Sequence, residues 1–467
     1  MRTQAKLLLI AALAALLVTA VLAPEALARG GGGSAGFSGG GGGSGGGHGS
    51  GFALYFILDL LFHIALLGHG LGAVVLIALA LAYLFITRML PKLQETWAER
   101  AASKSPGPRK TSKRERRVEL AAAEAADEDP EFAPDQVRET AKRLFFDIQT
   151  AWDRDDRAAL ARLVGPDLLV EWERRLDDLR RRGWTNHVEP IGEPTIEYVN
   201  LHRTGDESTD RVVVRIDARL RDYVVDRHGR HLKRTGSLSE MTRMREFWTL
   251  GRRDGRWMLI SIEQGAEGAH ALEEKIVATP WGDETSMRDE SLLEGAVADA
   301  VPEGTKIAEV ADLQFEGDAQ NAANDLSLAD GRFAPDVLEI AARRAVNGWA
   351  LAVDGDDSAL RAVATPAAAR ELLYAGDTSG ALRMVVRGPA VKRIRVVGLD
   401  AADEPPTMTI EVDLTGRRYI ENRDTTAVVA GNRSRQTSFT ERWTLSLTDD
   451  AEQPWRITAV AAPVGLH

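Results

Sequence analysis

Residues 132–166 read FAPDQVRETAKRLFFDIQTAWDRDDRAALARLVGP, and residues 333–366 read FAPDVLEIAARRAVNGWALAVDGDDSALRAVATP. Both begin Phe-Ala-Pro-Asp, continue through a long amphipathic stretch, break at an acidic turn and end at a proline. In the first copy Val137, Ala141, Leu144, Phe145, Ile148 and Trp152 recur at the spacing that lines one face of a helix. In the second, Leu338, Ala341, Ala345 and Trp349 do the same. Pro166 is suited to opening a further helix, because its fixed φ fits the first turn and its missing N–H is not needed there. That helix carries Leu169, Trp172, Leu176 and Leu179 on one stripe and stops at Gly183.

After Gly183 the period changes from helical to alternating. TIEYVNLH from Thr195, DRVVVRIDARLRDYVV from Asp210, MREFWTL from Met244 and RWMLISIE from Arg256 read as strands, with turn signals around Gly229 and Gly255. The second copy answers in the same order: FTERWTLSL matches MREFWTLGR, and PWRITAV matches RWMLISI. Helices first and an antiparallel sheet afterwards is an α+β architecture. The expectation is two such domains, over 132–265 and over a diverged 333–467, joined by an acidic linker at 266–332.

The chain has 467 residues, no cysteine and a net charge of −11. Without cysteine there are no disulfides, thiol catalysis or thiolate metal sites. From Arg88 to Arg117 ten Lys/Arg stand against three Asp/Glu, a local +7, so the remainder sums to −18. An acidic bulk repels nucleic acid, and no stretch interleaves basic with aromatic residues, so nucleic acid is set aside as a partner.

The N-terminal part faces a membrane. Arg2 and Lys6 precede an apolar run from Leu7 to Leu22, and Ala26 and Ala28 offer small residues for cleavage, so 1–28 reads as a signal peptide, with an uncleaved anchor as the alternative. Of the 22 residues from Gly30 to Gly51, 15 are glycine, which makes 29–51 a flexible tether. Residues 52–70 carry Asp59 and His63 on one helical face and His69 between two glycines. They read as an interfacial or re-entrant helix, with these three as candidate membrane or partner contacts. Residues 71–90 are the cleaner crossing. The lysines and arginines after it keep the rest of the chain on the cytoplasmic side of a cell inner membrane crossed once. Residues 91–131, basic and then Ala/Glu-rich, read as a linker or stalk.

The order AKRLFFDIQTAWDRDD, AL, LVGPDLL, W, G, followed by VVVRIDA and the closing FWTL and W, resembles the domain of the mitochondrial import inner-membrane translocase subunit 44 family, which has bacterial relatives. The resemblance covers 133–265 well and 334–467 weakly. It implies helices packed on a strongly curved antiparallel sheet, of the cystatin-like or nuclear-transport-factor-like kind. In mitochondria the family member tethers an Hsp70 motor to the translocon and touches acidic lipid. The resemblance therefore implies a membrane adapter whose partners are lipid and a protein such as a chaperone or translocon component, with no cofactor and no enzymatic activity.

Several residues are candidates for a site. Trp152, Trp172, Trp184, Tyr198, Trp248 and Trp257 could line an apolar pocket between helices and sheet, or simply fill the core. Arg174, Arg175, Arg180, Arg181 and Arg182 could meet lipid headgroups or an acidic partner, or form a solvated helix face. Asp226, His228 and His231 share a turn, but a metal needs more ligands within reach. Tyr198, His202, Asp217 and Asp222 fall on strands and keep open a reading as an isomerase- or hydrolase-like pocket for a small apolar ligand or lipid, yet no nucleophile elbow, metal motif or phosphate loop supports it. A third reading is a structural, membrane-organising role carried by the glycine-rich tether and the Asp59/His63 helix.

Overall fold

The computed structural model describes residues 37–38, 108–234, 240–265, 267–282, 284–297, 313–317, 319–328, 330–353, 357–433, 435–450 and 453–461. The expected signal peptide, most of the tether, both apolar segments and the candidates Asp59, His63 and His69 lie outside them. No helix among the described residues is long and apolar enough to cross a membrane.

Strand β1 (Phe37–Ser38) comes from the glycine-rich segment. The first unit then runs through α1 (Pro108–Glu128), α2 (Pro134–Asp153), α3 (Arg157–Leu163) and α4 (Pro166–Arg182). It continues with β2 (Trp184–His202), β3 (Arg211–Asp226), β4 (Lys233–Arg234), β5 (Met241–Arg253) and β6 (Arg256–Gln264). The second unit has α5 (Glu284–Val297), β7 (Leu313–Phe315), α6 (Ala319–Ser327), α7 (Pro335–Val353), α8 (Ser358–Val363) and α9 (Pro366–Tyr374). Its sheet is β8 (Leu382–Asp400), β9 (Thr407–Asn422), β10 (Val428–Gly431), β11 (Thr437–Leu447) and β12 (Trp455–Val460).

The two units repeat one another in detail. Before α2, Asp129 accepts the N–H of Glu131 and caps a 3-10 turn at Pro130–Phe132. Before α7, Asp330 accepts the N–H of Arg332 and caps the turn Gly331–Phe333. Phe132 meets Trp257 edge-on at 5.3 Å, and Phe333 meets Trp455 at 5.5 Å. The sheets run antiparallel in the orders β2-β3-β5-β6 and β8-β9-β11-β12, with β7 added parallel to β8 and β10 paired to β9. A parallel bridge ties Val164 to Leu259 in one unit and Ala364 to Ile457 in the other. The stripes of α2 and α7 are buried as their periodicity implies. The left-handed Gly183, at φ 67°, ends α4, since a residue without Cβ takes this conformation without strain.

The unit boundaries differ from the sequence reading. Residues 108–128 are not a stalk: Val118, Ala122 and Ala125 are fully buried and belong to the same core as Trp152 and Trp248. Arg114 anchors the helix, donating to the carbonyls of Val199 and Ala271 and to Asn200 Oδ1, the last at 2.8 Å. A stripe of one valine and two alanines is too small to stand out by hydropathy, and it suffices because small residues allow close approach to the sheet. The described residues of the 266–332 stretch likewise divide between the units: Ala271, Ile276 and Ala278 pack on the first, and those from Glu284 onward join the second. Leu293, Ala319 and Ala323 join its core, and Arg343 of α7 pairs with Asp289 at 3.1 Å.

Candidate functional site

The six aromatic candidates are packed together in or against the core of the first unit. Trp152, Trp172, Tyr198, Trp248 and Trp257 are buried in the core of the first unit, and Trp184 packs against it half-buried. Trp152 meets Trp172 edge-on at 5.5 Å. Its Nε1–H donates to Asn186 Oδ1 at 2.8 Å, and Asn186 in turn donates to Asp222 at 2.9 Å. Trp248 Nε1–H donates to Glu246 at 3.0 Å.

Two of the strand residues considered for catalysis, Asp217 and Asp222, are engaged by other side chains. Tyr198 is buried with its hydroxyl unpartnered, and burial pushes that hydroxyl well above its usual pKa. Asp217 is half-buried, which raises its pKa, but hydrogen bonds from Arg243 and Arg245 outweigh this and hold it below the usual carboxylate range. Asp226 closes its turn by accepting from His228 and Arg230, and His231 pairs with Glu240 while stacking on Tyr223 at 4.7 Å. Among the described residues no group of three or more His, Asp or Glu is arranged to hold a metal.

The arginine cluster does find an acidic partner, and that partner is the chain's own second unit. Arg174 and Arg181 pair with Asp424 at 2.8 and 3.2 Å, and Arg175 faces Glu421 at 3.7 Å. Arg180 and Arg182 instead close locally on Asp155 and Asp178, at 2.5 and 2.8 Å. Between these lies a residue that sequence reasoning missed. Glu171 of α4 is 6 % exposed and receives Arg383 Nη1 at 2.9 Å and Arg423 Nε and Nη2 at 2.9 and 2.7 Å. Burial raises its pKa, but the Arg423 hydrogen bond and the charges of Arg383, Arg423 and Arg175 outweigh this, so Glu171 stays ionised below the usual range. The guanidiniums are satisfied in turn by the carbonyls of Ala352 and Gly380.

A second buried set lies on the 3-10 turn Gly268–Leu272, which comes after β6. Tyr419 donates to Glu267 at 2.7 Å, Arg433 lies over the Tyr419 ring at 5.1 Å, and Arg387 faces Glu263 at 3.6 Å. His270 sits between Glu263, at 2.7 Å, and Glu274, at 2.5 Å. The backbone of the second unit comes up against it: a Cβ on Gly388, at φ 53°, would stand 2.6 Å from His270 Cβ. These contacts form one edge of a cleft of about 1410 Å³ between the units. Its floor is the outer face of the first sheet at Val213, Phe247, Thr249 and Gly251, and its opposite wall is Asn347 and Leu351 of α7 with Val386 and Pro389 of β8. None of the six aromatic candidates lines it; His202 does.

Burial lowers the pKa of His270, but hydrogen bonds to Glu263 and Glu274 outweigh that and carry it up to about 10. At neutral pH it is an imidazolium and offers no basic nitrogen to a substrate. A raised pKa contributes stability in full below the unfolded value near 6.5, and that contribution is lost as pH rises through about 10. NMR titration of the His270 ring is therefore expected to show no deprotonation between pH 6 and 8; a midpoint near 6.5 would remove the carboxylate clamp.

Residues 118–264 match the family model of the Tim44-like domain. No curated protein matches the chain. Among solved structures it is similar to the intermembrane space region of the chloroplast protein ARC6, at 10% identity and a TM-score of 0.22, covering 27% of this chain and 95% of that one. It is also similar to an Ntf2 like protein involved in plasmid conjugation, at 9% identity and a TM-score of 0.18, covering 70% of this chain and 96% of that one. Scores this low leave the fold to be argued from the chain's own topology, of helices against antiparallel sheets. The stretch that matches the Tim44-like domain, residues 118–264, is the first unit from the middle of α1 to the end of β6.

Proposed function

We propose that the chain is a membrane-associated adapter in which the Tim44-like domain and its diverged second copy work as one block, with the cleft between them as the docking place for a segment of a protein partner. The observation that carries this reading is the joint construction of the cleft, with a sheet face of one unit opposite a helix of the other. Leu351, 47 % exposed on the wall, gives a partner something to bury, while the charged edge supplies orientation. The family match supports membrane and protein interactions in general. In this reading the basic belt from Arg88 to Arg117 holds the block at the cytoplasmic face, the units have the cystatin-like form, and the partner is a chaperone or translocon component.

Photo-crosslinking from a residue placed at Leu351 in the full-length chain, in cells, tests this. One protein recovered at stoichiometric levels, and lost on Leu351→Asp, is the expected result. Recovery of lipid or a small molecule alone would replace the adapter with a ligand-binding block.

A further inference from the structure

The glycine-rich segment Gly30–Gly51 contains one large apolar residue, Phe37. In the structure Phe37 is 9 % exposed and packs on Val224, with Trp184 and Leu232 beside it. Phe37 and Ser38 add as an antiparallel strand to β4, Phe37 opposite Arg234 and Ser38 opposite Lys233. The receiving edge is firmly built. The Asp226 carboxylate accepts the N–H groups of His228 and Arg230, Val225 bridges to His231, and the Leu232 N–H donates to the Val224 carbonyl at 2.8 Å.

Strand addition of this kind draws affinity from main-chain hydrogen bonds and selectivity from a pocket for one side chain. Gly36 and Gly39 flank the inserted pair and add no side chain that could clash. We propose that this end of the Tim44-like domain is a strand-addition site for an aromatic residue in a glycine-rich setting, filled by the chain's own Phe37, and that it holds the glycine-rich segment on the same face of the bilayer as the domain. A hydrogen-bonded strand pair cannot reach across roughly 30 Å of hydrocarbon. The proposal therefore replaces the expectation that the membrane is crossed once, by residues 71–90, because a single crossing there would put residues 29–51 and the α+β units on opposite faces.

The chain has no cysteine, so Ser38→Cys with Lys233→Cys introduces the only thiols. The full-length doubly substituted chain is treated in membranes with a short bismaleimide, dissolved in detergent and cut by protease within the basic stretch 88–117. Arg219→Cys with Arg243→Cys, opposite one another on β3 and β5, is the reagent control. The expected result is an N-terminal fragment that stays attached to its own chain, with the yield falling about tenfold or more in Phe37→Ala, as loss of a buried aromatic anchor implies. A control pair that links while residues 38 and 233 do not would overturn the proposal. Linkage between two chains, or a yield indifferent to Phe37→Ala, would overturn it equally. Labelling of Ser38→Cys alone with an impermeant maleimide then separates this idea from the placement proposed above. Protection in intact cells supports both, whereas labelling of a chain that still crosslinks upholds the capture and overturns the cytoplasmic placement.

Discussion

Glu171→Ala is expected to uncouple the two units, replacing one cooperative unfolding transition with two and exposing the 266–332 region to protease. The cost is set by what remains. Arg383 and Arg423 are 6 % and 8 % exposed, and without Glu171 Arg423 stays buried with the Gly380 carbonyl and the Tyr374 ring opposite it, while Arg383 keeps the Ala352 carbonyl and a longer contact, 3.6 Å, to Asp357. Breaking a buried ion pair by removing one partner costs about 3–5 kcal/mol, more than most interfaces between domains can lose. The neighbouring pair offers a contrast: Arg174 and Asp424 have side chains 31 % and 26 % exposed, so Arg174→Ala is expected to cost under about 1 kcal/mol. Differential scanning calorimetry of the two variants separates the cases. Equal, small effects would show that Glu171 does not hold the units together.

The same contact sets an acid limit. The pKa of Glu171 is lowered in the folded state, so its contribution is present above the ordinary value of 4.5 and is lost as pH falls through the lower folded value. Separation of the units is therefore expected on the acid side and not near neutrality, and Glu171→Ala should remove this dependence.

Beginning the chain at Pro130 instead of Pro108 is expected to leave the first unit unable to fold cooperatively. Three fully buried side chains, Val118, Ala122 and Ala125, would go with α1. Its loss would also strip Arg114 from the Val199 and Ala271 carbonyls and from Asn200, at about 1–3 kcal/mol for each buried group left unpaired. Point changes within α1 make the test sharper. Ala122→Glu forces a charge into a fully buried position and is expected to cost about 3 kcal/mol or more, whereas Leu120→Glu, at a site 69 % exposed, is expected to be silent. A stalk would tolerate both, so chemical denaturation of these two variants decides between stalk and domain.

Much of the fold was legible because its signals are local. The α2 stripe from Val137 to Trp152 completes itself within one helix, and the change of period after Gly183 announces the sheet. The repeat of Phe132, Pro166 and Trp257 as Phe333, Pro366 and Trp455 marks the duplication without any knowledge of contacts. The small-residue stripe of α1 was the weakest such signal, since alanine is common on buried and exposed helix faces alike. The candidate site was much less legible. Arg174, Arg175 and Arg181 stood out as a basic cluster, but nothing in their spacing says that Glu421 and Asp424 of the same chain would meet them.

Composition and periodicity alone determined the kind and order of the elements from α2 to β6 and their counterparts from α7 onward, the presence of two copies and the stripes of α2 and α7. Each of these depends on residues close together in the chain, where backbone geometry dictates which side chains share a face. Only the tertiary structure decided which charges are buried. Glu171 lies off the apolar stripe of α4, and it becomes the clamp because Arg383 and Arg423 arrive from 212 and 252 residues away. A carboxylate survives burial only where such partners converge, and convergence over that separation leaves no periodic trace in the sequence.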